Sequence, residues 1–128
     1  MMLRLAFRTS IEAFSAQYSL LALVLIGGNT LFNIISNASF KFSALSPSWR
    51  GLLAWQVVGN LTGLITVITL TWLLRFVPLT VAFPVTTGLA VIGVQVIAAS
   101  LLFQESISPA QWLGTLFIVA GIALIGGR

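Results

Sequence analysis

The order of apolar and polar positions divides the chain into four long apolar runs separated by charges. Residues 13–40, 51–74, 76–104 and 106–127 contain no charged side chain over 28, 24, 29 and 22 positions. A helix crosses a hydrocarbon core of about 30 Å with roughly 20 mainly apolar residues, so each run accommodates one span. Spans are expected near 19–40, 52–74, 79–103 and 109–127. Backbone in lipid must satisfy its own hydrogen bonds, and runs of this length suit helices rather than the roughly ten-residue alternating strands of a barrel. The expected fold is all-α and integral to the membrane, a four-transmembrane-helix bundle with short loops.

Residues 1–18 carry a different pattern. At helical spacing Leu3, Phe7, Ile11, Phe14 and Tyr18 share one face, and Arg4, Arg8, Glu12 and Ser15 share another. This predicts a short interfacial helix, with a tail that merely extends the first span as the plainer reading. The apolar run that follows is too long for a signal peptide. The organisation is therefore an amphipathic segment over 1–18 and a transmembrane domain over 19–128. Of the connections, 41–51 holds the turn formers Ser43, Ser46, Pro47 and Ser48. The connection at 75–78 is a tight hairpin. Before helix four, Ser108, Pro109 and Gln111 form an N-cap, a first-turn proline and a capping box.

Composition sharpens the membrane reading. Charged residues make up 6% of the chain, against about a quarter in an average soluble domain. The net charge of +4 comes from basic residues standing singly at span ends, as interfacial anchors do, with no cluster for a nucleic acid. Cysteine and histidine are absent, which removes thiolate and imidazole metal sites. Acid–base chemistry is left with Glu12, Glu105 and Tyr18, all outside span interiors, so neither an enzyme nor a cofactor is expected. Four spans put both termini on one side with Arg4, Arg8, Arg75 and Arg128, opposite Lys41 and Arg50. That bias favours cytoplasmic termini, and the expected location is a bacterial-type inner or plasma membrane.

Polar residues inside the spans are the candidates for function. Asn29, Asn33 and Asn37 recur at i+4 on helix one, and Lys41 extends the row. Amides on one face of a membrane helix need partners in protein or water, which makes the row either a cavity wall or interhelical glue. Gln56 and Asn60 repeat the spacing on helix two and are expected to face the row. Thr62, Thr66 and Thr69 are expected to bond their own helix. Helix three carries Pro84 inside the span, followed by Thr86, Thr87 and Gly88, with Gln95 as an isolated amide further on. A proline-broken helix is either a packing kink or a pointer to a transport site. On helix four, Gly114 and Gly121 lie seven apart and suit a helix-packing or subunit interface.

These residues resemble the small multidrug resistance proteins. Asn33 through Ser43, with its Lys41-Phe42-Ser43 step, is similar to the end of that family's first helix. Pro78 to Gly88 resembles the entry to the third helix, Phe103 to Pro109 the third loop, and Gly114 with Gly121 the fourth-helix dimer glycines. The similarity runs from about Ser19 to Gly127. The wider drug/metabolite transporter superfamily, which includes the aminoarabinose-lipid flippase subunits, repeats the same pattern. The resemblance implies a dimeric transporter whose substrate path involves Asn33, Phe83 and Thr86. It also shows departures: the family's first-helix glutamate falls at Asn33, its third-helix tryptophan at Thr86, and the preceding tyrosine at Phe83. An asparagine neither exchanges a proton near neutral pH nor neutralises a cation.

The expected role is a small transporter-type protein moving a neutral or anionic amphipathic metabolite or lipid-linked substrate. Its partners would be the lipid bilayer and a second copy or homologous four-helix subunit. The substrate-path candidates are Asn33, Asn37, Lys41, Gln56, Asn60, Phe83 and Thr86, with Lys41 and Arg75 as the expected phosphate contacts and the asparagines as the expected hydroxyl contacts. The alternative is an accessory subunit of a larger membrane complex, and proton-coupled export of cationic drugs comes third.

Overall fold

The computed structural model describes residues 1–126, apart from the side chains of residues 7–19. Helix α1 covers Met2–Leu45, α2 Trp49–Leu73, α3 Leu79–Gly93 and α4 Pro109–Gly126, and α3 continues directly into a π-helical segment at Val94–Leu102. No strand occurs among the described residues. The stretches Leu20–Leu45, Trp49–Leu73, Leu79–Leu102 and Pro109–Gly126 are long enough to cross a membrane, with mean hydropathies of 1.6, 1.6, 2.0 and 1.6. The chain is a multi-pass α-helical membrane protein. Its outer surface fits lipid: Leu61, Leu64, Val67 and Ile68 of α2 are all exposed.

Local chemistry sets two of the helix starts. Ser48 caps α2 by accepting the Gly51 N–H at 3.2 Å. At α4 both halves of the capping box form, Gln111 N–H to Ser108 Oγ at 3.2 Å and Ser108 N–H to Gln111 Oε1 at 2.8 Å. These bonds satisfy backbone donors that a helix start leaves without partners.

Helix α1 is longer than the expected first span in both directions. It runs unbroken past residue 18, so the N-terminal helix and the span form one rod of 44 residues, about 66 Å at 1.5 Å per residue. Most of the side chains on the expected amphipathic faces lie outside the described residues. The helix also passes Phe40 and ends at Leu45, which puts Lys41 on the helix itself. In α3, the helix carries on through Pro84. Its departure from α geometry comes at Val94, where the apolar pattern gives no warning. There the turns widen, and Phe103 N–H reaches Ala98 O at 2.9 Å, an i to i−5 bond. Gln104, at φ 53°, then turns the chain in the left-handed region seldom used by residues other than glycine.

Helices α1 and α2 form the tightest pair. Ser36 Oγ donates to Gly59 O and Ser43 Oγ to Leu52 O, both at 2.8 Å. A Cβ at Gly59 would collide with the Phe40 ring, so the absent side chain is what lets the helices meet. Helix α3 lies on α1, while the backbone of α4 approaches only that of α3. At that last contact a Cβ on Gly88 would sit 2.7 Å from Ile122 Cδ1. The buried core is split in two. Leu25, Leu73 and Ala82 close the end near Arg75, and Ile34, Ala38 and Ala98 join α1 to the π segment.

Candidate functional site

The asparagine row on α1 passes from the interior to the open. Asn29 is buried, Asn33 half-buried and Asn37 exposed. Each amide donates back by one turn: Asn37 Nδ2 to Asn33 O at 2.9 Å, and Asn33 Nδ2 to Asn29 O at 3.1 Å and Oδ1 at 3.0 Å. Asn29 Nδ2 crosses to α2, where Thr66 O accepts at 2.9 Å and Thr69 Oγ1 at 3.1 Å. The row is thus glue at Asn29 and a polar surface at Asn33 and Asn37. The side-chain carbonyls of Asn33 and Asn37 accept no hydrogen bond among the described residues, leaving both oxygens for water or a ligand.

The three amides line one wall of a cavity of about 650 Å³. Thr86, Thr87 and Ala90 of α3 and Gln95 of the π segment form the facing wall, with Thr66 and Val67 of α2 between. Glu105, Ser106 and Gln111 stand at its mouth. The lining residues Val67, Phe83 and Val91 are 58%, 54% and 44% exposed, so the cavity also opens sideways between α2 and α3. Thr86 is buried and spends its hydroxyl on its own helix, donating to Ala82 O at 2.7 Å. The threonines of α2 do the same, Thr62 to Val58 O at 2.8 Å and Thr66 to Gly63 O at 2.6 Å.

Four of the expected path residues, Asn33, Asn37, Phe83 and Thr86, meet in this cavity, and three do not. Gln56 lies outside it and bonds Ser43 Oγ at 3.3 Å. Asn60 is exposed and donates to Gln56 O at 2.7 Å, within its own helix. The i+4 spacing puts these two amides on one face of α2, but Thr66 and Thr69, not they, meet the asparagine row. Lys41 does not line the cavity. Its Nζ sits 3.1 Å from Glu105 Oε1 at the mouth, with the two side chains 45% and 49% exposed, so its charge is already matched. Arg75 follows α2, at the opposite end of the bundle from Lys41, and the two cations cannot share one phosphate.

Two residues gain a part that the sequence pattern did not single out. Gln95 is not isolated: its Oε1 accepts the Thr115 hydroxyl of α4 at 2.6 Å. Glu105 reaches back from the third loop to α1. Near the same end Phe42 stacks on Trp55, with centroids 4.8 Å apart, and tilts against Phe103 at 4.9 Å, bracing three helices beside the mouth. A Cβ on Gly114 or Gly121 would meet no atom within 4 Å among the described residues, so both face away from the side chains packed there.

The cavity's polar groups are neutral amides and hydroxyls, and its single carboxylate is the paired Glu105 at the entrance. Searches against protein-family models, curated proteins and solved structures return no match to this chain.

Proposed function

We propose that the chain is a subunit of a small membrane transporter that moves a neutral or anionic amphipathic metabolite or lipid-linked substrate, working as a dimer with a second copy or a homologous four-helix partner. One observation carries this reading: a cavity with an asparagine wall and an apolar opening to the side. The amides from Asn29 to Asn37 climb about 12 Å along α1 at 1.5 Å per residue. A polar headgroup can exchange water for amide contacts along that rise while its apolar chain stays at the rim of Val67, Phe83 and Val91. The resemblance to the small multidrug resistance proteins supports the same wall of the same helix as the path. Asn33 in place of their glutamate argues against proton coupling. With the Lys41 charge matched by Glu105, neutral headgroups are favoured, and an anion must compete with Glu105 for the ammonium.

The orientation follows from the charge bias. With cytoplasmic termini, the end of the bundle that carries Lys41 and Glu105 faces away from the cytoplasm. The test is reconstitution into vesicles containing fluorescent glucosylceramide or phosphatidylglycerol, with transbilayer movement followed by dithionite quenching. Protein-dependent movement, faster for the neutral lipid and lost in Asn33→Leu, is expected. Stoichiometric unrelated proteins after mild detergent purification, with no lipid movement, would replace this reading by the accessory one.

A further inference from the structure

We infer that Gln95 is a ligand-contacting residue of the cavity and that Thr115, outside the cavity lining, is the positioning residue that aims it. The inference rests on the transporter reading for its biological meaning, but its geometry stands separately. Gln95 lies in the π segment and lines the cavity together with the asparagine row. Its carbonyl oxygen is held by the Thr115 hydroxyl at 2.6 Å. The Gln111 carbonyl stands 3.0 Å from the same hydroxyl, which has one proton, and the shorter contact to Gln95 is the better placed for it. Thr115 is the one buried residue of α4.

A carboxamide held at its oxygen has its direction set. Its Nε2, with two N–H groups, donates to nothing among the described residues, although Gln95 lines the cavity. The other wall offers the accepting oxygens of Asn33 and Asn37. A group that both accepts and donates, such as a hydroxyl, matches this pair of wall groups, since it can take a hydrogen bond from Gln95 and give one to an asparagine. Valine has the shape of threonine without the hydroxyl, so Thr115→Val frees the amide to rotate and present its oxygen. Thr115→Ser keeps the bond.

The chain has five glutamines, so side-chain amide signals of ¹⁵N-glutamine protein are few enough to follow by NMR. Gln95→Leu identifies the Gln95 pair of signals. In phosphocholine micelles, titration with octyl glucoside as a hydroxyl-bearing probe is expected to move the Gln95 signals saturably in the parent and in Thr115→Ser. In Thr115→Val the same movement requires about tenfold more probe. Those spectra also report whether the variant is folded. Gln95 signals unmoved by the probe in the parent, or moved equally in Thr115→Val, overturn the inference. Glycolipid movement in vesicles separates this from the wider reading. Responsive Gln95 signals with no lipid movement defeat the transporter proposal alone, and lipid movement with silent Gln95 signals defeats this inference alone.

Discussion

At the scale of single residues, three asparagines of one spacing do different work because burial changes along their helix. Asn29, 4% exposed and bonded to Thr66 and Thr69 of α2, ties two helices together. Interhelical hydrogen bonds in membranes average roughly 0.6 kcal/mol and reach about 1.7. Asn29→Leu should therefore lower stability by about 1 kcal/mol in reversible denaturation, whereas exposed Asn37→Leu should leave it nearly unchanged. Lys41→Gln should also be mild, since a half-exposed ion pair contributes about 0–1 kcal/mol, and exchanging Lys41 and Glu105 should restore whatever is lost. The periodicity made the asparagine row legible. It did not reveal Glu105 or Thr115, because their partners Lys41 and Gln95 are far away in the chain and the contacts arise only once helices pack. The same limit explains Gln56 and Asn60: spacing assigns a face to a helix but not the neighbour that face meets.

At the scale of elements, the spans and the capping box at α4 follow from local chemistry and were legible for that reason. For residues 1–18 the pattern left an interfacial helix and an extension of the first span both open, and α1 runs on as the second of these; the π segment was not legible, since an α-helix and a widened one share the same apolar composition. Close approach of backbones divides the glycines into two groups. Gly59 lies beneath the Phe40 ring, so Gly59→Leu should separate α1 from α2 and lower folded yield in detergent. Gly121 faces open space, so Gly121→Leu should insert and fold normally. If α4 forms the contact between subunits, that variant should lose crosslinking in membranes. Undiminished crosslinking would remove α4 from the interface.

At the scale of the whole molecule, the proposed transporter role rests on the exposed side of the bundle, where Val67, Phe83 and Val91 line the cavity. On the proposed reading, that side admits the apolar chain of an amphiphile or is closed by a partner subunit. The stretches Leu20–Leu45, Trp49–Leu73, Leu79–Leu102 and Pro109–Gly126 contain no carboxylate, so expression in a drug-sensitive host should give no proton-coupled resistance to quaternary ammonium compounds. The most direct test of the account compares lipid movement in vesicles carrying the parent, Asn33→Leu or Asn37→Leu, with assembly measured on the same samples. Both variants are expected to assemble as the parent does and to move the neutral glycolipid at least about tenfold more slowly, the effect of losing one or two ligand hydrogen bonds. Parent-like movement in both variants would contradict the proposal.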